Sequence, residues 1–268
     1  MLAGVTPQWL RGMFSRIAPR YDLTNTVISA GLDQVWRRRL AQCVARHATQ
    51  TVLDVACGTG GVMAQLAQCC PSTTCLLGID FSDAMLRVGR QRLATAASAH
   101  RVDLCVGDAH CLPHPEKSFD AVTMMFGVRN FANPAAGLAE CYRVLRPGGH
   151  LCFVEFSWPR GRGLRTVYEG YLRYILPLIA WPLCGEWAAY RYLRDSVLAF
   201  RPQSDLTILL PRIGFTDVSA EALSGGIATL YTARKPSLLS PVPQEQPVWQ
   251  QLGVRSALRK MAHWPSSP

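Results

Sequence analysis

At 268 residues the chain is long enough for one large domain with a full core and a short appendage. A hydrophobic share of 49% suits a globular protein, and no stretch reaches the ~20 uninterrupted apolar residues of a membrane span. The net charge of +10 is almost all arginine, since lysine occurs only at Lys117, Lys235 and Lys260. It reads either as a bias of the coding sequence or as a basic face for acidic lipid or another anion.

Without Lys/Arg-rich runs or an aromatic ladder, nucleic acid is not an expected partner. The most apolar segment, Tyr174 to Cys184, is too short to span a membrane and carries Pro177 and Pro182. The N-terminal segment Met1 to Phe14 does not read as a signal peptide, because Trp9 and Arg11, with Arg16 just beyond, leave no apolar core region. The ten cysteines form no CxxC pair, which points to small core residues in a reducing cytoplasm and to no metal site.

Thr6-Pro7 opens a helix over Gln8 to Ile17. Thr24 to Ala45 reads as a second helix, with Val27, Ile28, Leu32, Val35, Trp36 and Leu40 as its apolar stripe. Alternation follows: strand Thr51 to Ala56, helix Gly61 to Gln68, strand Thr74 to Asp80, helix Ser82 to Ala94, then strands Val102 to Val106 and Phe119 to Met125. Asn133-Pro134 opens a helix to Leu145, Arg146-Pro147-Gly148-Gly149 ends it, and Leu151 to Phe156 is the fifth strand. Residues from about 160 to 200 are a helical insertion, rich in Tyr, Trp, Leu and Arg, of the kind that forms a substrate lid. A helix from Gln203 to Arg212 and strands Phe215 to Ala220 and Ile227 to Thr232 complete an α/β, doubly wound, mainly parallel seven-stranded sheet. The expected domain is 1–236; residues 237–268, punctuated by Pro241, Pro243 and Pro247, read as a linker and tail, disordered or forming one short amphipathic helix.

Asp54 lies at the end of the first strand, Gly58 and Gly60 form the turn after it, and Asp80 ends the next strand. Glycines let the backbone approach a ligand, and an acid at that strand end can accept bonds from ribose hydroxyls. A nicotinamide fingerprint needs a third glycine where this chain has Met63. The pattern Asp54-x-x-x-Gly58-Thr59-Gly60 instead resembles motif I of S-adenosylmethionine-dependent methyltransferases, which implies the class I, Rossmann-like fold. By that resemblance Asp54 faces the cationic end of the cofactor, Asp80 and Phe81 the nucleoside, and Asp108 and Ala109 the adenine; Met125 lies beside it.

Two further blocks narrow the resemblance. One runs from Phe14 through Ala18, Tyr21, Asp22, Asn25 and Gly31 to Trp36 and Arg37. The other is Phe126-Gly127-Val128-Arg129-Asn130, continued by Pro147-Gly148-Gly149 and Val154-Glu155-Phe156. Together they resemble the ubiquinone/menaquinone-biosynthesis C-methyltransferase family over about Met13 to Lys235. Departures fall at Thr24, where methionine is usual, at Asp33, where histidine is usual, and at Met125, where a serine is common.

The resemblance implies methylation of a ring carbon of a prenylated quinol. A hydroquinone becomes a carbon nucleophile when a ring hydroxyl, titrating near ~10, loses its proton. Arg129 is the expected cation at that phenolate, with Asn130 orienting the hydroxyl or a water and Tyr21 closing from the N-terminal helices. Asn25, Tyr171 and Ile175 are expected at the substrate, and Leu172, Leu176, Ile179 and Trp181 with them in the wall of an oily channel. Arg160, Arg162, Arg165 and Arg173 would meet lipid head groups, with the membrane surface as the source of substrate. His110 and His114 are weaker candidates for a base, and Glu155 either faces the pocket or partners an arginine. The expected location is cytoplasmic and peripheral on the inner face of the membrane, and a homodimer is left open. The leading substrate is demethylmenaquinol; the alternatives are a benzoquinol of ubiquinone biosynthesis, or O- or N-methylation of another small molecule. A non-catalytic scaffold is disfavoured by the intact motif I.

Overall fold

The computed structural model describes residues 4–47, 50–94, 101–200 and 202–237. The expected tail from residue 238 lies outside the described residues.

The chain starts with α1 (Pro7–Ile17), capped by Thr6, whose side chain accepts from Trp9 N at 3.1 Å. A single turn, Ala18–Arg20, leads into α2 (Tyr21–Ile28), and α3 (Leu32–Ala45) follows. The single helix expected over Thr24 to Ala45 is therefore two. Ala30 and Gly31 take φ of 50° and 81° and break it, a left-handed turn for which Gly31 is well suited.

From there the expected alternation holds: β1 (Thr51–Val55), α4 (Gly61–Cys69), β2 (Cys75–Asp80), α5 (Asp83–Ala94), β3 (Val102–Val106), β4 (Phe119–Met125), α6 (Pro134–Val144) and β5 (Leu145–Phe156). Strand β5 begins earlier than expected. Phe119 pairs with Leu145 but Ala121 with His150, so Arg146 to Gly149 bulge within the strand, with Gly148 at φ +83°. The insertion comprises α7 (Arg162–Gly170), a π-helical turn at Tyr171–Ile175, α8 (Leu176–Cys184) and α9 (Trp187–Ala199). Then come α10 (Pro202–Ile213), β6 (Thr216–Leu223) and β7 (Ala228–Arg234).

The seven strands form one sheet in the order β3-β2-β1-β4-β5-β7-β6. Neighbours among β1 to β5 are parallel, while β7 runs antiparallel to β5 and β6. Strand order reverses between β1 and β4, which opens a crevice at their carboxyl ends where ligands bind in such sheets. One core layer packs α3, α4 and α5 on one face through Leu40, Met63 and Leu86. Another packs α6 and α10 on the opposite face through Leu138 and Leu210. A third apolar cluster joins Leu10, Met13 and Ile17 of α1 to Tyr168, Leu172 and Tyr190 of the insertion. The N-terminal helices and the insertion thus close on one another; one cavity lies against both segments and the carboxyl edge, and another against the N-terminal helices and the carboxyl edge.

Candidate active site

Motif I sits where β1 enters the crevice. Ala56, Gly58 and Gly60 all have positive φ, at 55°, 56° and 72°, and turn the chain into α4. Asp54 is 1% exposed, and neither carboxyl oxygen has a hydrogen-bond partner among the described residues. Burial, then the nearby Asp80 charge, push its carboxyl well above the ordinary range, with Arg37 opposing. A buried acid left unsatisfied at a cavity wall is costly unless a ligand completes it, and a cationic amino-acid tail does so.

Asp80 accepts from Gly58 N at 2.9 Å and Ser82 N at 2.8 Å. Burial raises it to about 6 despite these bonds. Its remaining lone pairs face a cavity of about 370 Å³ that Phe81, Met85, Asp108, Ala109 and His110 also line. Asp108 is exposed at this cavity and accepts from His110 N at 2.9 Å, with His110 Nδ1 at 2.8 Å. The backbone bond from His110 holds its carboxyl below the usual range. At Gly58 a Cβ would meet nothing within 4 Å, so there is open space against the turn. The unpartnered Asp54, the cavity-lining Asp80 and Asp108, and the open space at Gly58 suit a group that carries a cation, a sugar and a base, as S-adenosylmethionine does.

Gly60 lies between Thr59 and Gly61 of the cavity wall, and a Cβ there would stand 3.0 Å from Leu93 Cδ1, so the missing side chain also lets α5 approach.

The second cavity, also about 370 Å³, is mainly apolar. Asp54, Thr59, Asn25, Arg129, Tyr171, Leu172 and Leu176 line it. Phe14, Tyr21, Ala56, Gly58, Met125 and Phe126 line both cavities and form the shared wall. Phe126 has φ 58°, an uncommon backbone for an aromatic residue, and stacks on Phe156 at 4.0 Å.

Ile175, Ile179 and Trp181 are absent from the cavity lining, and Ile175 and Trp181 are 46% and 59% exposed. The π-helical turn explains the correction. It adds a residue to one turn, so Tyr171, Leu172 and Leu176 point inward while Arg173, Tyr174 and Ile175 stay out. The Tyr171 hydroxyl donates to Ile28 O and ties the insertion to α2.

Arg129 lies in the short turn Val128–Asn130 after β4 and is 8% exposed. Its Nη1 donates to Phe126 O at 2.6 Å and to Glu155 Oε1 at 3.0 Å, while its backbone N donates to Glu155 Oε2 at 3.1 Å. Glu155 is fully buried and lines neither cavity, so of the two roles open to it, it takes that of arginine partner. Asn130 lines the cofactor cavity; its Nδ2 donates to Phe126 O at 3.1 Å and its Oδ1 accepts from Tyr192 OH at 2.7 Å. His110 faces the cofactor side, and His114 lines neither cavity.

Tyr21 is hydrogen-bonded to Asn25; burial raises its hydroxyl, with Arg129 and Arg37 opposing, so it stays protonated. Asp22 bridges Arg37 Nη1 at 3.0 Å and Arg92 Nη2 at 2.5 Å, and Arg92 Nη1 reaches Thr59 O at 3.0 Å. Burial opposes its ionisation, but the Arg92 bond and the Arg37 charge leave its carboxyl below the usual range. Asp33 is buried between Thr26, Ser29, Gln34 and Arg37, at the cavity wall. Sequence reasoning missed Arg37, Phe126, Tyr168 and Tyr192 as site residues. For Tyr168 a signal existed: Leu164, Val167, Tyr168, Tyr171 and Leu172 follow one helical face.

Residues 3–235 match the ubiE/COQ5 methyltransferase family. A Geobacter sulfurreducens protein named ubiquinone/menaquinone biosynthesis C-methyltransferase UbiE is 40% identical over 226 residues, covering 84% of this chain and 88% of its own. A Deinococcus radiodurans protein named demethylmenaquinone methyltransferase is 41% identical over 228 residues, covering 85% and 93%. Among solved structures, a SAM-dependent methyltransferase from Thermotoga maritima superposes with a TM-score of 0.58 at 18% identity, covering 84% of this chain and 99% of that one, a likeness of fold.

Proposed function

Since the chain belongs to the ubiE/COQ5 methyltransferase family, an S-adenosylmethionine-dependent C-methyltransferase of quinone biosynthesis, we propose that its substrate is demethylmenaquinol and its product menaquinol. The observation that carries this reading is the pair of cavities, one shaped for a nucleoside and one apolar, meeting at a shared wall beside a buried arginine. An apolar cavity with few polar groups suits a fused aromatic ring bearing a prenyl chain.

S-adenosylmethionine, when bound, supplies a methyl group made electrophilic by its sulfonium. The chain's own residues prepare the carbon that receives it. Arg129 is assigned to the ring oxygen beside that carbon, where a fixed positive charge lowers the cost of the phenolate. Guanidinium stays protonated and cannot take the proton itself. The position of Arg129 next to the shared wall supports this role, and the pairing with Glu155 holds it there. Asn130, fixed by Tyr192, and Tyr21 complete the polar end.

The source of the quinol is assigned to the surface of an anionic membrane. No helix among the described residues is long and apolar enough to cross one. Leu23 and Val27 of α2, with Tyr174, Leu178 and Trp181 of the insertion, are 42–71% exposed on helices that pack together. Leu164 and Val167, 43% and 68% exposed, also line the substrate cavity and place its mouth beside this face. The exposed Arg160, Arg162, Arg165 and Arg173 add the charge that anionic lipid attracts.

The deciding experiment is lipid analysis of a strain lacking this gene, with methyl transfer by the purified protein in detergent. Demethylated menaquinone should accumulate, and the protein should methylate demethylmenaquinol on carbon. An unchanged quinone pool would sink the reading, and accumulation of the benzoquinone precursor alone would move it to ubiquinone.

A further inference from the structure

Three tyrosines at the substrate cavity feel the Arg129 charge: Tyr21, Tyr168 and Tyr192. Tyr21 is engaged with Asn25, and Tyr192 with Asn130. Tyr168 is not engaged. It is 6% exposed, and its hydroxyl has no hydrogen-bond partner among the described residues. Arg129 Nε, buried at the same cavity, has none either. Of the other unpartnered buried side-chain atoms among the described residues, those of Asp54 lie at the same cavity and are assigned above to the cationic end of the cofactor, while His114 Nε2, Thr123 Oγ1, Tyr231 OH and Arg234 Nε belong to residues outside both cavity linings. A buried polar group without a partner is costly, so Tyr168 OH and Arg129 Nε, beside the acid assigned to the cofactor, mark a place for polar ligand atoms.

The two groups reach the cavity from different elements. Arg129 follows β4, four residues after Met125, which walls both cavities. Tyr168 lies on α7 of the insertion and, like Arg129, lines only the substrate cavity. A 1,4-quinol carries two oxygens, one at each end of its ring, and so has an atom for each of the two groups. Resting on the quinol reading above, we propose that Tyr168 hydrogen-bonds the quinol oxygen para to the one held by Arg129, and so fixes which ring carbon is turned toward the cofactor. The para oxygen is meta to the methylated carbon and does not feed charge onto it. The contribution of Tyr168 is therefore orientation: it opposes a flipped ring that would present the prenylated carbon. Burial, partly offset by Arg129, raises its hydroxyl, so it acts as a neutral donor and not as a base.

The test pairs Tyr168→Phe with a substrate change. The two substrates are demethylmenaquinol and a prenylated 1-naphthol that keeps only the hydroxyl beside the methylated carbon. On the quinol the variant should lose about 10- to 100-fold in kcat/KM, with S-adenosylhomocysteine affinity unchanged. The wild type should lose a similar factor on the naphthol, and there the variant should lose nothing further. An equal loss by the variant on both substrates would make the role one of packing and overturn the proposal, as would no loss on the quinol. Should the variant fail to fold, the wild type alone decides, because indifference to the missing hydroxyl also overturns it. If the wild type methylates neither substrate, the quinol reading itself has failed, a result distinct from these.

Discussion

Arg129 and Glu155 form a closed ion pair inside the protein, Nη1 to Oε1 at 3.0 Å, with side chains 6% and 0% exposed. Glu155 also accepts from the Arg129 and Phe156 backbone nitrogens, so one carboxylate fixes the end of β5 and the turn after β4 together. The cation assigned to the substrate is thus anchored from behind.

This pairing separates structure from chemistry. Arg129→Gln strands a buried carboxylate and should cost about 3–5 kcal/mol. Adding Glu155→Gln removes the stranded charge and should restore most of that stability, read as the thermal midpoint. Turnover should stay at least ~100-fold down in the double variant, as expected for a lost transition-state charge. Recovery of turnover with stability would reduce Arg129 to a structural residue.

Asp80 makes the apo protein and cofactor binding respond to pH in opposite ways. Its carboxyl is raised from 3.8 to about 6. A group raised in the folded state contributes stability that is full below its unfolded value and is lost as pH rises through the folded one. Against Asp80→Asn, the ligand-free wild type should lose about 3 kcal/mol of relative stability between pH 4 and above 6. Ribose hydroxyls favour the ionised acceptor, so S-adenosylhomocysteine should bind more tightly as pH rises through about 6. Calorimetric titration should find that step flattened in Asp80→Asn.

Asp22 ties the N-terminal helices to motif I through Arg37 and Arg92. Asp22→Asn should cost about 1–3 kcal/mol, because two guanidinium groups lose a shared acceptor. Cofactor affinity should fall with it, since Arg92 also holds Thr59 O. An unchanged dissociation constant would show that the helices close without this bridge.

The π-helical turn predicts opposite outcomes for two neighbours. Leu172→Ala, at a 3% exposed residue on the cavity wall, should cost about 2–5 kcal/mol and raise the quinol KM. Ile175→Ala should stay within about 0.5 kcal/mol and leave KM unchanged. Equal effects would mean that Ile175 reaches the substrate.

The membrane face is open to a vesicle assay. Leu178→Glu with Trp181→Glu should reduce sedimentation with anionic vesicles and leave turnover in detergent intact, because both side chains are exposed and outside the cavities. Unchanged sedimentation would reject this face as the docking surface.

Most of the sheet was legible because its signals are local. β3 and β4 match their expected bounds, and the acids Asp54 and Asp80 stand at strand ends next to glycine turns. The break at Gly31 was less legible, since the apolar stripe continues across it from Val27 to Leu40 and a glycine reads ambiguously within a helical pattern. The π-helical turn left no sequence mark, so regular helical spacing placed Ile175 on the wrong side.

The sequence by itself determined the order of elements and the glycine turn at the carboxyl edge, since periodicity and turn chemistry act over a few neighbours, while resemblance to the family pointed to the residues expected at the reaction centre. Only the tertiary structure decided that Glu155 backs Arg129, that Asp22 links α2 to α5, and that Tyr168, unlike Tyr21 and Tyr192, has no hydroxyl partner among the described residues. Those facts depend on contacts between segments 26, 62 and 70 residues apart. They follow from how elements pack across the crevice, a relation that no local pattern encodes.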